Sequence, residues 1–547
     1  MGRVFARSHF SRNIDPGHDI QPFGHYDPNR FETCRIQEDL NVSRGPAVVS
    51  IVDNLADAPG RVAVVDIGSN TVRLVVYDAP TRLPIPIFNE KAECGLARGL
   101  NETGRLNPEG VEEAMRSLQR FSLLSQSMNV ERMTLLATAA VREAEDGQAF
   151  VERISKTVGL EVRVLSGEEE ARLSALGLLS GRRLIDGLLA DIGGGSVDLV
   201  EVRKGQFGRS GTLPMGHLRL RERSGENGSE AMRIVSEALE EFPWLSNIKG
   251  RNLFLAGGGC RALARVFIAQ ANYPLHVVDG YKIRRGDARR LCNVIIGMGP
   301  DSKWGVSDIP EGRLASLPFV ASVVNGLLGV CRAKKAVFSG FGMREGQLLD
   351  MLPDEVRDQD PLLSGCAGMA ERTGRFSITG HEIYAWLAPL FPKKRDAESR
   401  LRMAACMLSD IGWSEHPDYR AEHAFLRALR LPFAGLSHHD RVFLAFSLFF
   451  RYKGGSDNPS VVPAMALLQE NDLERAETLG NALRLAYTLS GAAPGLLPMT
   501  NLELVDKELV LNLSGDERKD REIFTSEAVE RRLDKLAQTI GRRGRIA

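Results

Sequence analysis

The residues in this chain best suited to chemistry lie in two short glycine turns, each directly after an apolar run that ends in aspartate. The first is Asp66-Ile67-Gly68-Ser69-Asn70 and the second Asp191-Ile192-Gly193-Gly194-Gly195-Ser196. Backbone N–H groups cradle a phosphate only where the main chain comes close to it, and glycine allows that approach. Ser69, Asn70 and Ser196 add side-chain donors. A carboxylate at the strand end can hold Mg²⁺ beside the phosphates, directly or through water. A single turn of this kind is commonly a plain loop. Two matched copies, with a third glycine run at Gly257-Gly258-Gly259, point to a phosphate site.

Hydrolysis at phosphorus also needs a carboxylate to orient or deprotonate water, and a cation for the transferring group. Glu168, Glu169 and Glu170 fall in the first turn of a helix opened by Ser166-Gly167. Two of the three are read as complementing the helix dipole. Arg142, just past a strand, can grip an anion with both arms of its guanidinium.

These residues need elements to hold them. The pattern predicts strands at 61–66 and 71–77, a helix at 109–125, a strand ending at 135–140, a helix at 148–158, a strand at 161–166 and a helix from 167 to about 179. Strand, glycine turn and strand then recur at 187–205, a third strand leads into Gly257–Gly259, and this second unit closes at 336–352. Such repetition implies a duplicated α/β unit with a cleft between its copies. From about 353 the texture becomes long helical patterns, and after Pro498 a short alternating stretch precedes a helix. The expected segments are therefore 1–57, a mobile N-terminal extension; 58–184 and 185–352, the two α/β units; 353–497, all helical; and 498–547, a small α+β cap.

Composition narrows the partners. The 547 residues are 43% hydrophobic and 26% charged, with 70 Lys plus Arg against 70 Asp plus Glu. With zero net charge, a polyanion must be held by locally placed cations and amides, not by a field over the whole surface. A basic run near the end (Arg531, Arg532, Lys535, Arg542, Arg543, Arg545) reads equally as a polyanion path and as a solvated helix end. Aromatic platforms at regular spacing are absent, which excludes nucleic acid as the expected substrate. Seven scattered cysteines, a polar N-terminus and no run of about 18 apolar residues predict a cytoplasmic protein without disulfides or a membrane span.

Seven motifs in order carry a family resemblance: DIGSNTVRL (66–74), ATAAVREA (137–144), LSGEEEARL (165–173), DIGGGSVDL (191–199), PMGHLRL (214–220), AGGGCRALA (256–264) and SGFGMREG (339–346). Together they resemble the exopolyphosphatase and guanosine pentaphosphate phosphohydrolase family. That resemblance implies duplicated actin-like domains of the sugar kinase and heat-shock-chaperone ATPase fold. By the same resemblance Glu170 is the base that orients water, Asp191 the Mg²⁺-associated carboxylate, and Ser69, Asn70, Arg142, Gly193, Gly194, Gly195 and Ser196 the phosphate contacts. Asp198 stands where the family usually has Glu, so its metal role rests on a carboxylate one methylene shorter; Glu170 completes the implied metal set. Gly257–Gly259 match a region that faces adenosine in nucleotide-binding relatives, and a purely structural role stays open beside that.

The helical region resembles the HD-phosphohydrolase-like module of longer family members. The chain offers His381, His423, His438 and His439, but the expected His-Asp pair reads Ser409-Asp410, so the region is read as structural. His217 is read as a packing residue. The implied activity is release of terminal orthophosphate from inorganic polyphosphate with Mg²⁺, or Mn²⁺ in its place, by a homodimer. The alternatives are guanosine pentaphosphate 5′-phosphohydrolysis, a catalytically weak polyphosphate- or alarmone-binding regulator, and an ATP-dependent sugar or acetate-type kinase, for which no acceptor site is recognisable.

Overall fold

The computed structural model describes residues 60–547 apart from 183–184, 299–308, 374–379, 392–395, 470 and 514–524. The expected extension 1–57 lies outside the described residues. Two mixed sheets carry the architecture. The first contains β1 (Arg61–Ile67), β2 (Thr71–Tyr77), β3 (Pro86–Glu93), β4 (Val130–Ala137) and β5 (Val162–Val164), in the order β3-β2-β1-β4-β5. The second contains β6 (Gly187–Ile192), β7 (Val197–Arg203), β8 (Gln206–Leu213), β9 (Asn252–Ala256), β10 (Lys282–Arg284) and β11 (Lys335–Phe338), in the order β10-β11-β9-β6-β7-β8. Apart from β10 the two orders superpose strand for strand. The pairing directions repeat as well: antiparallel for the glycine-turn hairpin and its outer neighbour, parallel for the next two strands. This is the duplicated actin-like fold.

Strand periodicity decides where the aspartates point. Side chains alternate across a sheet, so Val62, Val64 and Asp66 share one face of β1 while Ala63, Val65 and Ile67 share the other. Val62 and Val64 pack with Leu173 and Leu176 of the helix Gly167–Gly181 and with Leu348 and Leu349 of the helix Met343–Asp350. In the second sheet Leu189, on the Asp191 face, packs with Ala171, Ala175 and Leu178 of that same first helix. One helix is thus wedged between the two sheets, and both motif aspartates face it.

The sequence pattern carries the fourth strand on to Ala140, whereas the structure ends β4 at Ala137 and winds Ala139–Glu143 into a helix. The reason is pairing. Ala137 lies opposite Ile67, the last residue of β1, and beyond it the glycine turn offers no ladder partner.

In the second unit the helix Leu317–Cys331 is almost wholly buried. The segment Glu311–Cys331 has the length and mean hydropathy of a membrane span, 1.9, with 78% of its apolar window inside the fold. The helices Pro361–Thr373, Asp396–Leu408, Arg420–Arg430, His438–Arg451 and Asp472–Ser490 gather around one core rich in phenylalanine. That core continues into the last sheet, β12 (Thr500–Val505), β13 (Glu508–Leu513) and β14 (Arg543–Ile546), and the helix Glu527–Thr539 through Leu502, Leu511 and Leu533. In the basic run, Arg531 pairs with Glu527 at 3.3 Å, Lys535 with Glu477 at 2.9 Å and Arg545 with Glu508 at 2.8 Å, so these charges are met locally. Every described cysteine is a buried free thiol.

Candidate active site

The two glycine turns are built alike. Gly68 N donates to Thr71 O at 2.9 Å, and Gly193 N donates to Ser196 O at the same distance. Ser69 and Asn70 therefore correspond to Gly194 and Gly195, and all four line one cleft of about 290 Å³. The turns face each other closely: a Cβ added to Gly195 would lie 3.0 Å from Ser69 Oγ. Arg98, Arg219 and Arg221 line the same cleft beside Glu222 and Glu226; Arg219 is paired with Glu143 at 2.5 Å and Arg221 with Glu226. Gly193 and Ser196 form the base of the second turn, with Ser196 buried. The loop is braced from behind by His217 N and Leu218 N, which donate to Gly193 O and Gly194 O at 3.0 Å each. His217 itself is half-buried, and desolvation holds its imidazole down at about 4, so it is neutral at neutral pH.

Carboxylates crowd the helix between the sheets. Asp191 lies opposite Asp198 in the β6–β7 ladder, so both project from one face. Ser174 Oγ donates to Asp191 Oδ2 at 2.5 Å, and Thr212 Oγ1 donates to Asp198 Oδ1 at 2.7 Å. Burial pushes both aspartates above the usual carboxylate range, and the negative charge of Glu170 pushes Asp198 further. Asp66, with Arg344 Nε 4.0 Å away, is raised by burial as well.

The three glutamates take different roles. Glu169 completes a capping box with Ser166, accepting from Ser166 N at 2.9 Å while Ser166 Oγ accepts from Glu169 N at 3.2 Å. Its charge is further tied to Arg163 at 2.6 Å. Glu170, one residue on, turns inward. Arg142 Nη1 donates to Glu170 Oε2 at 3.1 Å and to Leu165 O at 2.7 Å, which fixes the carboxylate. Burial is the largest influence on Glu170 and outweighs Arg142, leaving it at about 7. A carboxylate tuned to that value can take a proton near neutrality.

The expected residues thus fall into two layers: Ser69, Asn70, Gly194 and Gly195 at the cleft, and Glu170, Asp191 and Asp198 on the carboxylate side. Arg142 faces Glu170 and is not part of the cleft lining. The glycine run has a packing explanation. Gly257 adopts φ +100°, and a Cβ there would lie 2.5 Å from Ile192 O; on Gly259 it would lie 2.6 Å from Val320. Among the described residues no group of three or more His, Cys, Asp or Glu forms a ready metal cage. The donor set still suits Mg²⁺, which commonly takes one or two carboxylates and completes its shell with water and phosphate oxygens. Asp191 and Asp198 are adjacent hard donors whose mutual repulsion a dication would relieve, whereas Glu170 is engaged by Arg142.

Three of the four candidate histidines of the helical region are spent elsewhere. His439 pairs with Asp472 at 2.6 Å, His423 with Glu415 at 2.9 Å, and His438 bridges to Tyr273 OH and Asp279 O at 3.0 Å each. Ser409 Oγ donates to Cys406 O at 2.6 Å and bonds Tyr487 OH at 2.9 Å in the core.

Residues 75–355 match the model of the Ppx/GppA phosphatase family, and 381–547 match that of the exopolyphosphatase C-terminal domain. The chain belongs to the Ppx/GppA phosphatase family. Retrograde regulation protein 2 of Saccharomyces cerevisiae is 25% identical over 435 residues, spanning 72% of each chain. Among solved structures, an Aquifex aeolicus Ppx/GppA family member is 25% identical at a TM-score of 0.47, covering 55% of this chain and 99% of that one. An exopolyphosphatase from Cytophaga hutchinsonii is 23% identical at a TM-score of 0.49, covering 53% and 97%.

Three functional side chains lay outside the sequence reading of this Ppx/GppA chain. Ser174 sits four residues after Glu170, one helical turn along the same face, a spacing that could have exposed it. Thr212 was hidden because β8 has no apolar alternation, and Arg344 lies inside the SGFGMREG motif unassigned. Ser174→Ala should lower kcat/KM about tenfold, the worth of a hydrogen bond to a charged group, with far-ultraviolet circular dichroism unchanged. Unchanged kinetics would remove Ser174 from the positioning of Asp191.

Proposed function

We propose that this protein is an exopolyphosphatase that releases terminal orthophosphate from inorganic polyphosphate by Mg²⁺-assisted attack of water. The observation that carries the reading is the half-buried Glu170 carboxylate, fixed by Arg142, tuned to about 7 and set on the helix that both motif aspartates face. The match to the exopolyphosphatase C-terminal model supports the polymer as substrate.

In this reading the amides of the two glycine turns, with Ser69 and Asn70, hold the terminal phosphates. Glu170 orients a water and accepts its proton as the new P–O bond forms. The bridging P–O bond breaks on the opposite side, and the electron pair leaves with the shortened polyphosphate, a good leaving group that needs no covalent enzyme intermediate. Arg142 keeps Glu170 aimed. Mg²⁺ at Asp191 and Asp198 supplies charge neutralisation for the phosphate oxygens when bound.

The same water and carboxylate would serve guanosine pentaphosphate, since both substrates end in a phosphoanhydride. A regulatory reading, binding with weak turnover, is favoured by one observation: the similarity to a yeast protein named for retrograde regulation. Phosphate release from long-chain polyphosphate and from guanosine pentaphosphate, with Mg²⁺ or with EDTA, separates the three. The proposal expects metal-dependent release with the higher kcat/KM on the polymer. Binding without release by folded protein would replace it with the regulatory reading.

The same assay run against pH carries a further expectation. Glu170 acts in its deprotonated form, so the rate should rise about tenfold per pH unit below its titration and level off above about 7. A flat profile from pH 5.5 to 8 would exclude Glu170 as the titrating base.

A further inference from the structure

A second cavity, of about 330 Å³, opens where β2 and β3 meet the start of the helix Met343–Asp350 and the 430–433 segment of the helical region. It shares no lining residue with the cleft between the glycine turns. Arg73, Arg261, Arg344, Arg430 and Arg441 line it, each from a different element: β2 and the helices Gly258–Gln270, Met343–Asp350, Arg420–Arg430 and His438–Arg451.

The charge in this cavity is unbalanced. Two carboxylates, Asp279 and Glu345, also line it against five guanidiniums; both accept from backbone, and against the effect of burial Glu345 and Asp66 hold Arg344 above its ordinary value. Asp279 Oδ1 accepts from Gly340 N at 3.0 Å, and Glu345 Oε2 accepts from Gly342 N at 2.8 Å. Arg73 Nε donates to the neutral Asn89 at 2.7 Å, and Arg344 stands 4.0 Å from Asp66. Among the described residues no side-chain hydrogen bond or ion pair engages Arg261 or Arg430. Burial, and then the guanidiniums beside them, hold Arg73 down at about 10 and Arg261 below its ordinary value. Cations packed this way gain when an anion enters between them.

The wall is also rigid. Arg441 is 1% exposed and donates to Leu429 O at 3.2 Å, Leu431 O at 2.7 Å and Phe433 O at 2.9 Å, which fixes the segment around Arg430. Guanidinium forks held on separate rigid elements suit the oxygens of a phosphate. Leu83, Pro84, Phe341 and Phe433 give the remainder an apolar face, and the volume lies in the range of small-molecule pockets.

We propose that this cavity is a second anion site that binds a phosphorylated small molecule, its phosphate held by Arg73, Arg261, Arg344 and Arg430, apart from the cleft where hydrolysis occurs. The occupant is either an inorganic phosphate species or a nucleotide whose base lies on the apolar face.

Calorimetric titration of the full chain with pyrophosphate and with ATP, in EDTA so that turnover is off, tests this. Arg430 is exposed at the rim, so Arg430→Ala should melt as wild type and release phosphate from polyphosphate at the wild-type rate. It should nevertheless weaken pyrophosphate binding at least tenfold, and Arg73→Gln should do the same. Asn70→Ala, in the hydrolytic cleft, should leave this binding in place. ATP bound tenfold more tightly than pyrophosphate assigns the apolar face to a base; equal affinities assign the site to inorganic phosphates. In the Asn70→Ala background, where the hydrolytic cleft no longer holds phosphate, pyrophosphate binding that survives both arginine variants, or no pyrophosphate binding at all, would overturn the proposal.

Discussion

Glu170→Gln should leave a folded protein that binds polyphosphate with near wild-type affinity but turns it over about 10²- to 10⁴-fold more slowly, the usual worth of a positioned general base. The substitution keeps the side chain's length and its acceptor oxygen, so Arg142 retains a partner at the 3.1 Å position. What is lost is the ability to take a proton. In the proposed reading phosphate is held in the other layer, at the cleft lined by Ser69, Asn70, Gly194 and Gly195, which Glu170 does not line. The measurement is kcat from phosphate release beside Kd from equilibrium binding to a labelled polymer. Equal loss of kcat and affinity would make Glu170 a binding or folding residue. An unchanged kcat would move the base to another raised carboxylate, with Asp198 the first alternative because it too is pushed upward by burial.

The contrast between the glycine turns and the rest of the site explains what the sequence could disclose. Asp66 and Asp191 were legible because a strand that ends in Asp-x-Gly leaves the same local pattern twice, and the hairpins are local structures. The outer strands β3 and β8 were not legible. Their exposure patterns are almost featureless, since hardly any residue of either edge strand is buried on either face, which leaves no apolar alternation to reveal it. Yet β8 supplies Thr212 to Asp198, so a missed edge strand became a missed site residue. Glu170 stood out from Glu168 and Glu169 only through the family resemblance. The physical difference among them, a capping box for Glu169 and burial for Glu170, depends on where the helix lies between the sheets. The five arginines that line the second cavity come from positions scattered between 73 and 441, a convergence that tertiary packing alone creates.

That packing depends on one crossing, and Gly346→Val should break it. The helices Gly167–Gly181 and Met343–Asp350 meet backbone to backbone. A Cβ on Gly346 would lie 1.8 Å from Leu173 O and 2.8 Å from Gly177 N, and one on Gly177 would lie 2.0 Å from Gly342 O. No rotamer change relieves a clash with a carbonyl, so any side chain at 346 must push the helices apart. The expected cost is at least the ~1–3 kcal/mol of an overpacked core, seen as an earlier first thermal transition. Activity should fall further than stability alone requires, because one helix carries Glu170 and Ser174 while the other carries Arg344 toward Asp66. Gly286→Ala is the matched control. It is exposed near the start of the helix Arg285–Gly297 with nothing within 4 Å of an added Cβ, and replacing a helical glycine there should stabilise by up to ~1 kcal/mol. Wild-type melting and wild-type turnover in Gly346→Val would mean that the two helices do not touch, and that the carboxylate layer is positioned by the sheets instead.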